Sequence, residues 1–257
     1  MKFDSYLPAD ELKPYIKSIV ISESETEQTY KVLPDTSLVI GFQYKGNLAY
    51  LNKDVEISLS SSGITGLRDS FRIFKNSAGI GTVLVYFKEA GATPFFKQPL
   101  HELFQESISL DNFMLQSELL ILEEQLCEAN SDNTRIAIVE RFLISRMKES
   151  SQDSIVMMAL SLIYKSKGTI RIKELTEHLN ISQSPLEKRF RRAVGTSPKK
   201  FASIVRIKNI IQQYNQTDSL IDISYEAGFY DQSHFIKEFK TFTGSTPENF
   251  FSKKIIR

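Results

Sequence analysis

Near the end of this 257-residue chain, Ser233, Lys237 and Lys240 recur at helical spacing, with Ile236 at their edge. Phe235 and Phe239, four residues apart, lie on the other side of the same helix and must face a core, so the first set is turned to solvent. One exposed helix face that mixes a small hydroxyl, basic groups and one aliphatic side chain has chemistry suited to a DNA major groove. Lysine donates to guanine O6 and N7 or to a phosphate, and an aliphatic side chain meets a thymine methyl. A single face of this kind also occurs on helical hairpins that are purely structural.

The elements that must position these residues are legible around them. Gly228 closes one helix, Asp231 supplies the N-cap of the next, and the run Gly244-Ser245-Thr246-Pro247 ends it. An earlier copy strengthens the pattern. Going back forty-nine positions, Phe239 falls on Phe190, Phe235 on Leu186, Gly244 on Gly195 and Pro247 on Pro198; before the turn the offset is forty-eight, pairing Ile223 with Leu175 and Asp222 with Glu174. The change of one residue sits where a turn absorbs it. In the first copy Leu186 and Phe190 point inward, leaving Ser184, Glu187, Lys188 and Arg191 outward. Lys188 is suited to guanine and Glu187 to cytosine N4, or Glu187 is a solvated charge paired with Arg191. Between the copies, Pro198 to Tyr214 reads as one helix of about 25 Å, from about 1.5 Å per residue, with Pro198 in its first turn. With helix offsets added, that spacer sets two groove-reading helices roughly one DNA turn, about 34 Å, apart.

These residues resemble the AraC/XylS family of bacterial transcription regulators over roughly 166 to 252. The carriers are Ile172 and Leu175, Ile181-Ser182, Leu186-Glu187-Lys188-Arg189-Phe190-Arg191, Gly195-Thr196-Ser197-Pro198, Arg206, Ile223 and the stretch from Ala227 to Pro247. Thr176 and Ser224 stand where the family usually has alanine. Asn180 replaces a common turn glycine, a change that the left-handed backbone tolerates. The resemblance implies two helix-turn-helix subdomains joined by a rigid helix. It places base contacts at Gln183, Ser184, Glu187 and Lys188 in the first, and at Gln232, Ser233, His234, Ile236 and Lys237 in the second. Gln232-Ser233-His234-Phe235 is common in such proteins and so sets docking more than sequence choice. Arg189, Arg191, Arg192, Lys199, Lys200 and Lys240 are the candidate phosphate contacts. Double-stranded promoter DNA is the implied partner, with RNA polymerase, a small-molecule effector and a homodimer as further partners the family allows.

Composition agrees. The chain is 41% hydrophobic and 25% charged, as expected of a globular protein with room for two cores. Its formal net charge of +1 hides an asymmetry: from Ser166 onward 16 Lys and Arg face 9 Asp and Glu, while residues 1–165 hold 16 against 22. Segregated positive charge is the electrostatic footprint of a nucleic-acid module. No apolar run approaches the roughly 18–20 residues that span a bilayer, and Asp4, Asp10 and Glu11 interrupt any signal core, so a cytoplasmic protein with no membrane partner is expected. The single cysteine, Cys127, has no partner for an internal disulfide and is expected as a buried, reduced thiol.

The amino-terminal part reads as short strands: Ser18–Ser22, Tyr30–Leu33, Ser37–Tyr44, Leu48–Leu59, Phe71–Phe74 and Thr82–Phe87. Turn signals at Pro34-Asp35, Lys45-Gly46-Asn47, Ser61-Ser62-Gly63 and Lys75-Asn76 separate them. A small β-barrel or sandwich follows. The family's sensory domains are often cupin-like barrels, and Val32-Leu33-Pro34-Asp35 and Gly81–Lys88 resemble one branch of them. His101 is the only histidine in this half, so no conventional imidazole metal site is expected, and His101 reads as a surface or capping residue. No phosphate loop, nucleophile elbow or telling carboxylate pair appears, and Gly79-Ile80-Gly81 leads into a strand. No cofactor and no catalytic residue are expected, and the protein is read as a non-enzyme.

From Phe113 the period becomes helical. Leu115, Leu119, Leu122 and Leu126 line one helix, Ile136, Val139, Leu143 and Met147 a second, and Ile155–Tyr164 forms a third, with breaks at Asn130–Asp132 and Glu149–Asp153. The fold class is α+β, in three segments: a β-rich sensory or regulatory domain (1–112), a helical linking or dimerisation segment (113–166) and the DNA-binding domain (167–257). Two other readings stand beside a regulator: a DNA-repair alkyl acceptor, which would need Cys127 reactive, and a binding barrel with a vestigial DNA module. Phe42, Tyr44, Tyr86 and Phe87 are large enough to fill the barrel.

Overall fold

The computed structural model describes residues 1–53, 55–149, 152–215 and 219–254. Among them the first part forms ten strands: β1 (Lys2–Tyr6), β2 (Ile16–Ser24), β3 (Gln28–Val32), β4 (Val39–Lys45), β5 (Leu48–Asn52), β6 (Val55–Ser58), β7 (Ser62–Thr65), β8 (Arg72–Asn76), β9 (Ile80–Phe87) and β10 (Ser107–Ser109). They build two sheets, β1-β2-β9-β4-β7-β10 and β3-β8-β5-β6, in which the pairings are antiparallel.

Several local expectations change, and the turn expected at Lys75-Asn76 is the end of β8. Leu48–Leu59 is not one strand but the hairpin β5–β6, with Asn52 opposite Val55. Ser62-Gly63 opens β7 instead of making a turn. β1 and β10 are strands that composition does not announce, because Lys-Phe-Asp-Ser-Tyr and Ser-Ile-Ser are edge segments fixed by their partners β2 and β7.

Strand alternation gives the larger sheet two unlike faces. Along β9, Val83, Val85 and Phe87 are fully buried, and so are Ile40 and Phe42 of β4 and Ile19 and Ile21 of β2. This apolar face packs on helices α1 (Gln116–Glu128) and α2 (Asp132–Arg146); Leu119, Leu122, Leu126, Ile136, Val139 and Leu143 belong to the same core. The opposite face, with Thr82, Leu84, Tyr86, Gly41 and Gln43, looks across to Tyr30, Tyr50 and Phe74 of the smaller sheet over a cavity of about 570 Å³. Phe42, Phe87 and Tyr44 therefore belong to the helix side, and of the four large side chains only Tyr86 reaches the cavity.

Two helical expectations are corrected. Leu115 is the exposed N-cap residue of α1, not part of its buried stripe. Cys127 is exposed, with its Sγ 3.4 Å from Tyr44 O, because the stripe at 119, 122 and 126 leaves position 127 a hundred degrees away from it. α2 is capped by Ser131, whose Oγ accepts from Thr134 N. α3 (Ser154–Lys165) is capped by Asp153, which accepts from Ile155 N and Val156 N. Residues 150 and 151 of the break expected at 149–153 lie outside the described residues.

After α3 the chain turns through Lys167 (φ 53°) and Gly168 (φ 80°). A Cβ on Gly168 would run into Ala202 O and Arg206 N of the following long helix, so the turn is pressed against that backbone. Gly168→Ala should cost at least about 1–2 kcal/mol for the left-handed backbone alone, with the clash added. Chemical denaturation would show it, and an unchanged midpoint would refute the close approach.

A candidate nucleic-acid interface

Among the described residues the regular elements of the second half are helices: α4 (Ile172–Leu179), α5 (Gln183–Val194), α6 (Pro198–Gln213), α7 (Leu220–Glu226), α8 (Gln232–Thr243) and α9 (Pro247–Lys254). α5 and α8 each have twelve residues and start forty-nine positions apart, as the internal repeat requires. Both end on a left-handed glycine, Gly195 (φ 99°) and Gly244 (φ 79°), and Asn180 takes the same conformation (φ 47°) between α4 and α5. Asp231 Oδ1 accepts from His234 N at 2.7 Å, the expected cap. The hydroxyls that stand where alanine is usual are satisfied within their own helices: Thr176 Oγ1 donates to Lys173 O and Ser224 Oγ to Ile221 O, both at 2.7 Å.

The two hairpins are anchored differently. Leu175, Leu186, Phe190, Phe201 and Val205 continue the core that begins on the large sheet, with α3 packed on α4, α5 and α6. The second hairpin has a core of its own, made by Ile204, Ile207 and Ile210 of α6 with Phe229, Phe235, Phe239, Phe242 and Phe251. α6 contributes to both, and its 16 residues make a rod of about 24 Å at about 1.5 Å per residue.

Opposite these cores the candidate contacts emerge. Gln183, Ser184 and Lys188 are exposed on α5 with Glu187 half-buried, and Gln232, Ser233, His234 and Lys237 are exposed on α8 with Ile236 half-buried. Glu187 accepts from Gln183 Nε2 at 2.8 Å, so its helical partner is Gln183 and not Arg191. Of the phosphate candidates, Arg191, Arg192, Lys199 and Lys240 are exposed. Arg189 lies 3.5 Å from Asp153, and Lys200 lies 2.8 Å from Asp69 in the β-rich part. Those two cations already have carboxylate partners that a phosphate would have to displace.

Two supporting groups escaped the sequence reading. Glu238, on the inner edge of α8, accepts from Arg206 Nη2 at 2.8 Å and from the Ser203 hydroxyl, which ties α8 to α6. The Arg206 guanidinium lies 4.0 Å from the Phe229 ring centre. Lys208 of α6 pairs with Asp35, and Lys31 donates to Thr243 O at 2.9 Å. Burial would raise the Asp35 carboxyl, but Lys208 beside it holds it below its ordinary range. These partners lie 32 to 212 residues apart, beyond the reach of any local pattern. His101 is half-buried with an unpartnered Nδ1, and among the described residues no group of three His, Cys, Asp or Glu is placed to hold a metal.

Residues 175–253 match the family model described as a helix-turn-helix domain. The carboxy-terminal module is of the AraC type. Residues 4–109 match a domain of unknown function, DUF6597. The chain is 30% identical over 155 residues to the Msm operon regulatory protein of Streptococcus mutans, covering 58% of this chain and 55% of that protein. It is 25% identical over 249 residues to an uncharacterised HTH-type transcriptional regulator of Staphylococcus aureus, covering 89% of this chain and 33% of that one. The chain thus spans about half the length of the first relative and a third of the second. Among solved structures, an apo ToxT variant from Vibrio cholerae aligns with a TM-score of 0.45 at 18% identity, over 91% of this chain and 96% of that one. Among the described residues no helix is long and apolar enough to cross a membrane.

Proposed function

We propose that the protein is a sequence-specific DNA-binding transcription regulator, in which each AraC-type module lays α5 and α8 in successive major grooves. The observation that carries this is the repeated hairpin: two helices of equal length, each with an apolar side buried and a polar side exposed, joined by the single helix α6. Lys188, Glu187, Gln232, Ile236 and Lys237 would read base edges, while Arg191, Arg192, Lys199 and Lys240 would neutralise phosphates. Residues 167–257 are the reading domain, 1–112 the regulatory one and 113–166 the link between them. A cytoplasmic location, RNA polymerase, a second copy of the chain and a small-molecule effector held between the sheets belong to the same reading.

The effector reading has a physical basis in one shared wall. Tyr30, Lys31, Leu33 and Asp35 line the cavity, and from the same segment Lys31 bonds α8, Asp35 bonds α6 and Leu33 packs on the second hairpin's core. A ligand that shifts this segment acts on both helices at once.

Selection of bound duplexes from random DNA at two salt concentrations tests the DNA reading. Two short boxes about one helical turn, roughly 34 Å, apart are expected, and doubled pairs of boxes would show a dimer. Lys188→Ala should relax preference in one box only, whereas Arg191→Ala should weaken all sequences alike and reduce the salt slope by about 1. Recovery of unenriched DNA at both salt concentrations would overturn sequence-specific reading.

A further inference from the structure

We infer that the inter-sheet cavity takes an organic acid with an apolar body, its carboxylate seated between Arg68 and Arg72. The inference rests on the reading of the β-rich domain as the effector-binding half and names the ligand's chemical class. The cavity, about 570 Å³, is the size of small-molecule sites. Its walls are aromatic and aliphatic, with Tyr30, Tyr50, Phe74, Leu84 and Tyr86 among them.

One part of the lining is unlike the rest. Arg72 is only 8% exposed; its Nη1 donates to Ser107 Oγ at 2.6 Å and its Nη2 to Gln105 O at 3.1 Å. Arg68 Nη1 donates to that same carbonyl, and Arg68 Nε is buried without a partner. Two guanidinium groups thus converge on one neutral oxygen. The adjacent carboxylate is committed elsewhere: Asp69 accepts from Gln105 Nε2 at 2.6 Å through one oxygen and from Lys200 at 2.8 Å through the other. Among the described residues neither arginine has a carboxylate within ion-pair distance.

Burial lowers both groups below the usual arginine range, and for Arg72, drawn down to about 10, the charge of Arg68 adds to the effect. Both remain protonated at neutral pH. The field of Glu106 acts on both groups and that of Asp69 on Arg68, but neither carboxylate pairs with a guanidinium. Two like charges so far out of water are costly, and a ligand carboxylate answers both with paired hydrogen bonds. Arg72 is also stacked 3.8 Å from the Tyr50 ring centre, which fixes the guanidinium plane at the cavity wall. The other charged side chains in the lining are Lys31 and Asp35, and Asp35 is neutralised by Lys208. The lining is therefore cationic: a neutral ligand leaves the arginines unanswered and a cation is repelled.

Calorimetric titration of the full chain tests this with three probes: 4-phenylbutyrate, the isosteric neutral 4-phenylbutan-1-ol, and inorganic phosphate. The acid should bind at least tenfold more tightly than the alcohol and phosphate. Arg72→Gln should weaken the acid tenfold or more and leave the alcohol unchanged. Arg68→Gln, at a less buried position, should act in the same direction and serves if Arg72→Gln fails to fold. Equal binding of acid and alcohol, or acid binding indifferent to both variants, would overturn the acid class while leaving the cavity as an effector site. Phosphate binding as tightly as the acid would overturn the apolar body, and no binding of the acid would overturn the assignment. Acid binding that leaves DNA binding unchanged would support the site and count against the effector reading alone.

Discussion

Phe239→Ala is expected to unfold the second hairpin while leaving the first in place. Phe239 is fully buried, and its ring lies 5.4 to 5.6 Å, centre to centre, from those of Phe235, Phe250 and Phe251. Removing a phenyl ring from such a site costs about 3–5 kcal/mol. The core it belongs to is small and separate from the one shared by the large sheet, α3 and the first hairpin. The equivalent substitution, Phe190→Ala, strikes that larger core, which has many more neighbours to hold the helix in place. Hydrogen exchange should therefore show protection lost in α7, α8 and α9 of the Phe239→Ala protein but kept in α4 and α5. Its DNA selection should return one box instead of two. Uniform loss of protection across both hairpins would show a single cooperative unit and overturn the division into two cores.

The difference between the two hairpins was not legible in their sequences, although the hairpins themselves were. The forty-nine-residue repeat located α5 and α8, and the apolar pairs Leu186 with Phe190 and Phe235 with Phe239 oriented them, because helical periodicity is a local property. What lies against each buried face is not local. The first hairpin merges into the core of the amino-terminal half because α3 intervenes, and nothing in Ser154–Lys165 says which neighbour it will choose. The sheet repeats the lesson. The apolar and aromatic content of Thr82–Phe87 announced a strand, but only the two-sheet topology reveals that Val83 and Phe87 serve the helices while Thr82 and Tyr86 line a cavity. Edge strands such as Lys2–Tyr6 were missed because a strand paired on one side needs little apolar character of its own. Cys127 was misplaced by one position on a helical wheel, where neighbouring residues differ by about 100 degrees.

The ion pair that orients α8 leads to the other large expected effect. Glu238 joins three groups, the Arg206 guanidinium, the Ser203 hydroxyl and, at 3.8 Å, the His234 ring, and the side chains of Arg206 and Glu238 are only 16% and 21% exposed. Glu238→Ala leaves the Arg206 charge mostly buried and unanswered, with its Nε already lacking a partner. Hydrogen bonds to charged groups contribute about 1.5–3 kcal/mol, so a loss of about 2 kcal/mol is expected from the pair after allowance for its partial exposure. Glu238→Gln keeps the shape and one acceptor and should lose less. The larger consequence is geometric. Reading two grooves at once gains affinity only if both helices keep the spacing the duplex demands, since the second contact is then made at high effective concentration. With α8 held to α6 by apolar packing alone and no longer by the ion pair, binding to a two-box duplex should fall tenfold or more, while binding to a duplex carrying only the first box stays unchanged. Equal losses on both duplexes would mean that Glu238 supports the fold as a whole and not the spacing of the helices.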